Sequence, residues 1–126
     1  MTDEDFLARF ESQRLHEFTH RDHLRVAFAY ARRDGVAGAV EGARRIRGLA
    51  EAHGDFGKYH ETLTVGWARV VGHYALVCDA LPFDVFLTAN PQLLKRDLLS
   101  AHYSPELLFS PEARAAFVEP DLAPLP

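Results

Sequence analysis

Three histidines offer the most specific chemistry in this sequence. His20 and His23 lie in the stretch Phe18-Thr19-His20-Arg21-Asp22-His23-Leu24, and His60 lies in Tyr59-His60-Glu61-Thr62-Leu63-Thr64. Thr19 reads as a helix N-cap. Asp22, three residues on, is the carboxylate that reaches back to the cap's N–H, and Phe18 is the outer half of a hydrophobic staple. A helix starting there places His20, His23, Leu24, Ala27, Phe28 and Ala31 on one stripe, with Arg21, Asp22, Arg25, Arg32 and Arg33 opposite. From His60 a second stripe carries Leu63, Thr64, Trp67, Val71, Tyr74 and Cys78. Each histidine therefore faces inward at the start of a helix, where the positive end of the dipole disfavours imidazolium.

Should the two helices pack with their N-terminal ends together, three neutral imidazoles meet. Three such rings with an open position suit a divalent metal, zinc or iron. Glu61 projects about 100° away from His60 on a helical wheel, a poor angle for a ligand. It is the candidate acid/base, acting on a metal-bound water. Tyr59, Thr64 and Trp67 shape the pocket. The same residues also fit a metal-free ligand pocket, or histidines that are structural caps and core satisfied by hydrogen bonds. His16 and His102 are outliers to the site, while His53 and His73 project away from it.

The elements that must position these rings are all helical, and no segment alternates as a strand does. Thr2 with Asp5 opens a helix to about Arg14, with Phe6, Leu7 and Phe10 on one face. The helix capped by Thr19 runs to about Arg33 and ends at Asp34-Gly35. A third helix spans Val36 to His53, its apolar side Val36, Ala39, Val40, Ala43, Ile46 and Ala50. Gly38, Gly42 and Gly48 weaken it and give it a small-residue face, a possible site of homodimerisation. The linker 54–57 leads to the helix of His60, which Leu81-Pro82 stops. Asp84 caps a short turn through Leu87. Asn90-Pro91 opens a helix to about Ser100, and Ser104-Pro105-Glu106 and Ser110-Pro111-Glu112 open two short ones. The Pro-rich end, residues 119–126, is an extended tail lying on the bundle through Leu122 and Leu125. The expectation is one all-α domain over 1–126: a compact bundle of about four main helices, short C-terminal helices and a tail.

Composition supports an ordinary folded domain: 126 residues, 48% hydrophobic and 25% charged. The net charge of −4 argues against nucleic acid as the main partner. Locally, seven arginines between Arg21 and Arg47 face only Asp22, Asp34 and Glu41, which reads as solvated helix faces. The single cysteine, Cys78, rules out a disulfide within the chain and reads as a small buried hydrophobe. With no signal segment and no apolar run of ~18 residues, the expected location is the cytoplasm and no membrane is crossed. No GxSxG, P-loop or GxGxxG motif is present, so neither a serine hydrolase nor a nucleotide-binding enzyme is indicated.

The patterns FTHxxHL, YHETLTxxW, Ala89-Asn90-Pro91, Leu108-Phe109-Ser110-Pro111-Glu112-Ala113-Arg114 and Phe117-Val118-Glu119-Pro120-Asp121-Leu122 together resemble a family of small uncharacterised bacterial helical proteins. The resemblance covers most of the chain after the first helix. It implies one domain and no particular activity. The leading functional expectation is a small-molecule enzyme or binding protein with a histidine-lined, metal-holding pocket between helices. The alternative is a non-enzymatic interaction module that uses the arginine face or the tail, with structural histidines.

Overall fold

The computed structural model describes residues 1–15, 18–54, 57–78 and 81–126. His16, and Asp55 and Phe56 of the expected linker, lie outside the described residues. Seven helices are described: α1 (Asp3–Glu11), α2 (His20–Arg44), α3 (Ile46–Ala52), α4 (Glu61–Val77), α5 (Phe83–Ala89), α6 (Pro105–Leu108) and α7 (Pro111–Ala115). Two 3₁₀ turns, Pro91–Leu94 and Leu98–Ala101, separate α5 from α6. Among the described residues there is no strand. Among the described residues, too, no helix is long and apolar enough to cross a membrane.

Local signals fix most starts. The Thr2 hydroxyl accepts from Asp5 N, and the Ser104 and Ser110 hydroxyls accept from the N–H groups of Leu107 and Ala113. Thr19 and Asp22 form the full reciprocal capping box, with Asp22 N–H to Thr19 Oγ1 at 3.2 Å and Thr19 N–H to Asp22 Oδ2 at 3.0 Å. Each such cap stabilises its helix by about 1 kcal/mol.

Gly35 interrupts α2 with φ 77° and ψ −171°, a backbone glycine adopts without strain. The two arms fold back on one another there. A Cβ built on Gly42 would lie 2.2 Å from Cδ2 of the Tyr30 ring. In a straight helix these residues would be about 18 Å apart along the axis. The expected break at Asp34-Gly35 is thus where the chain turns. The expected continuous helix from Val36 to His53 is instead divided at Arg45, where the second arm of α2 ends and α3 begins. The small-residue face serves this chain's own packing: Asp34 lies over Gly38, Tyr30 over Gly42 and Gln13 over Gly48.

Helix α4 is the centre of the molecule. Buried residues surround it: Thr62, Thr64, Val65, Gly66, Ala68, Val70, Val71, Gly72 and Ala75. The expected single stripe is therefore corrected, since a helix apolar or small on every side is enclosed rather than half-exposed. Helix α2 packs along one side, with Val36 against Gly72. Leu99 of the second 3₁₀ turn approaches Gly66. On another side the Thr62 hydroxyl donates to Ala116 O at 3.0 Å and accepts from Val118 N–H at 3.1 Å.

The expected helix from Asn90 to Ser100 is replaced by the two 3₁₀ turns. Asn90 does not cap a helix with its side chain: its Nδ2 donates back to Phe86 O at 2.9 Å. The C-terminal segment is extended and docked. Tyr103 Oη donates to Val118 O at 2.7 Å, Ser104 N–H donates to Asp121 Oδ1 at 2.8 Å, and Leu122 N–H donates to His102 O at 2.9 Å. Val118 and Leu125 pack against the core, whereas Leu122 is exposed.

The arginines are largely committed within the chain. Arg21 pairs with Asp84, Arg25 with Asp3, Arg44 with Glu41 and Glu61, and Arg45 with Glu11. Arg32 is not a solvated charge: its guanidinium donates to the carbonyls of Cys78 and Leu81 and lies 4.6 Å from the centre of the Phe28 ring. It ties the end of α4 to the first arm of α2.

Candidate functional site

The starts of α2 and α4 come together around one cavity of about 390 Å³. His20, His23 and His60 all line it, and so do Tyr59, Thr64 and Trp67. A second cavity of about 310 Å³ adjoins it, reached past a shared wall of Phe18, His23, Ile46, Lys58 and Tyr59. Its far side is formed by Leu15, Leu49, Ala50 and His53.

The three rings are held in three different ways. His60 is the N-cap of α4, its Nδ1 accepting from Leu63 N–H at 3.1 Å. Its other nitrogen, Nε2, donates to Leu108 O at 2.6 Å. Both nitrogens of this ring, only 5% exposed, are thus engaged by backbone, and the ring bridges α4 to α6. Burial lowers its pKa, with the nearby Arg114 guanidinium acting in the same direction and the bond to Leu108 O opposing them.

His20 occupies the first position of α2. Its Nε2 donates to Leu93 O at 2.9 Å, tying the start of α2 to the first 3₁₀ turn. In the neutral ring that bond leaves the Nδ1 lone pair unused. The imidazole stands edge-on to Trp67, with ring centroids 4.8 Å apart.

His23 is the fourth residue of α2 and the inner half of the staple. Its ring lies 4.4 Å, centroid to centroid, from Phe18, which in turn stacks on Phe10 at 5.8 Å. Burial holds its pKa down at about 4; neighbouring His20 adds to this and the Asp22 carboxylate opposes it. His23 is therefore a neutral imidazole at pH 7.

Glu61 is placed differently from the other candidates and is not among the residues that line the cavity. Its Oε1 accepts from Tyr59 Oη at 2.5 Å and its Oε2 from Arg44 Nε at 2.9 Å. The carboxylate thus fixes the Tyr59 phenol. Burial, aided by Glu61, pushes the pKa of Tyr59 up. Arg47 covers that ring from 4.9 Å.

As for a metal, no group of three or more His, Cys, Asp or Glu is arranged to hold one among the described residues. The reason at His60 is plain. A lone pair for a metal becomes available only if the ring gives up the cap on Leu63 or the bond to Leu108. His102 lies apart, with Nδ1 donating to Ala123 O at 3.1 Å, and His73 stands edge-on to Tyr74.

Sequence reading did not anticipate Lys58 and Arg96, which bring positive charge to the lining. Both sit in irregular segments, where no periodicity marks which side chains converge. The chain matches no family model, no curated protein and no solved structure.

Proposed function

We propose that this protein is a small-molecule enzyme or binding protein whose ligand occupies the cavity between the starts of α2 and α4. The observation that supports it is the convergence of His20, His23, Tyr59, Thr64 and Trp67 on one cavity of about 390 Å³. That volume lies within the roughly 300–1,000 Å³ usual for ligand pockets, which combine apolar walls with a few placed polar groups.

The division of labour follows from the hydrogen bonds. His60 is a structural clamp. His20 and His23 are the polar groups a ligand meets: His20 offers an acceptor fixed in direction by its bond to Leu93, and His23 a neutral ring held against Phe18. Trp67 and Leu63 supply apolar wall, and Thr64 a hydroxyl. His20 and His23 are half-buried, so a ligand in the cavity can reach their rings.

The test is a fragment screen followed on the indole N–H resonance of Trp67, the only tryptophan in the chain. Saturable shifts that His20→Leu and His23→Leu abolish, in variants that keep their fold by circular dichroism, support the reading. A screen with no hit that moves Trp67 overturns it. Metal analysis of protein purified without a histidine tag separates the metal-holding form of this pocket from the metal-free form favoured here.

A further inference from the structure

We propose that the ligand of the cavity is a largely apolar molecule carrying a hydrogen-bond donor, a hydroxyl or an N–H, which it gives to Nδ1 of His20. The proposal rests on the pocket reading above and adds the polarity of the group that the site recognises.

The tautomer of His20 follows from its partner. A backbone carbonyl can only accept, so the proton of the neutral ring sits on Nε2, bonded to Leu93 O at 2.9 Å. Nδ1 is then a bare acceptor. A flipped ring would lose Leu93 O, and Trp67 stands against the imidazole with ring centroids 4.8 Å apart. The half-buried ring lines the cavity, and among the described residues nothing donates to its Nδ1.

Two donors of the same wall are already spent. The Thr19 hydroxyl donates to Asp22 Oδ2 at 3.1 Å, and the Tyr59 phenol to Glu61 Oε1 at 2.5 Å. His60 has neither ring nitrogen left. Lys58 and Arg96 stand at exposed positions. One turn beyond His20, the His23 ring rests on Phe18, and its nitrogens make no hydrogen bond among the described residues. The remaining wall is mostly apolar. Ile46, Leu63 and Trp67 contribute to it, and the buried Ala27, Ala43 and Ala68 line the space without filling it. Such a wall suits an apolar body with one polar group. A donor completes the hydrogen bonding of His20, whereas an ether oxygen sets lone pair against lone pair and leaves Nδ1 without water as well.

The experiment uses two matched pairs of probes: 2-naphthol with 2-methoxynaphthalene, and 2-naphthamide with its N,N-dimethyl derivative. Each is titrated against the full chain at pH 8, above the ordinary titration range of imidazole. Binding is followed at the Trp67 indole N–H and at the nitrogen-15 resonances of the His20 ring. The expected result is that at least one donor binds about tenfold more tightly than its methylated partner. It should also move the Nδ1 resonance of His20 upfield while Nε2 keeps its proton. The pair that shows the preference assigns hydroxyl or N–H. His20→Gln keeps an amide N–H for Leu93 O but puts no acceptor where Nδ1 stands, so it should weaken the donor until the paired affinities meet. Circular dichroism checks that this variant folds; if it does not, the Nδ1 resonance of the wild type decides alone. No preference for the donor in either pair, a preference that survives His20→Gln, or an Nδ1 resonance that stays still overturns the inference while leaving the pocket reading intact. A proton found on Nδ1 of the free protein's neutral ring does the same. No saturable shift with any probe overturns it as well, and the pocket reading falls only if the broader fragment screen is also empty.

Discussion

The ring of His23 lies 4.4 Å from that of Phe18 across the first turn of α2. Phe18 precedes the Thr19 cap and His23 is the fourth helical residue, the two positions a hydrophobic staple joins. The imidazole thus takes the place of an aliphatic side chain while keeping its ring in the wall of both cavities. One residue serves the helix start and the pocket together.

This has a consequence for stability. The folded state holds the His23 pKa at about 4, below the ordinary value of ~6.5 that the unfolded chain restores. Between those values the unfolded state binds the extra proton, so stability falls as pH drops through the window and levels off beneath it. The full effect is about 3 kcal/mol. Urea melts at pH 7.5 and 4.5 should show His23→Leu losing less stability than the wild type by an amount of that order. Equal losses would mean that His23 is not buried neutral.

His60 should be the histidine whose removal costs the fold most. His60→Ala loses the cap of α4 and leaves the Leu108 carbonyl without its partner, a cost of about 2–4 kcal/mol. His60→Asn can restore the cap and should recover about 1 kcal/mol of that. Thermal or denaturant unfolding of the two variants checks both figures. A neutral His60→Ala would refute the clamp between α4 and α6.

Two glycines of the same segment should respond in opposite directions. In Gly42→Ala the new Cβ meets the face of the Tyr30 ring, an overpacking that costs about 1–3 kcal/mol net of the helix-propensity gain. In Gly48→Ala the neighbour is the end of the flexible Gln13 side chain, so the propensity gain of up to about 1 kcal/mol should appear. Paired melts decide it, and stabilisation by Gly42→Ala would contradict the folding back of α2 at Gly35.

Because both His60 nitrogens are engaged, chelation should leave the melting temperature unchanged, and metal content should stay far below one equivalent. Stoichiometric zinc or iron lost in His20→Ala or His60→Ala would restore the three-imidazole centre and require His60 to exchange a backbone partner for the metal.

How much of this was legible beforehand depended on range in the chain. The Thr19–Asp22 box, the break at Gly35 and the serine caps of α6 and α7 are interactions over three or four residues, and residue type alone reveals them. The gathering of His20, His23 and His60 near two helix starts was also readable, because stripe and cap lie in the same short stretches. What His60 does was not, since its partner Leu108 lies 48 residues away. The enclosure of α4 was hidden because Gly66 and Gly72 register as weak positions, although they are where Leu99 and Val36 approach. Arg96 was invisible for a similar reason: its segment is brought to the cavity by partners distant in the chain, the bond from His20 to Leu93 O and the burial of Leu93 in the core.

The central claim is that the cavity between the starts of α2 and α4 is a ligand site, and the most direct measurement is a crystal structure of the protein with the tightest hit from the screen. The account predicts the molecule between His20, His23 and Trp67, with a polar atom within hydrogen-bond distance of His20 Nδ1 or of a His23 ring nitrogen. A hit bound elsewhere on the surface, with that space closed by side chains, would contradict it.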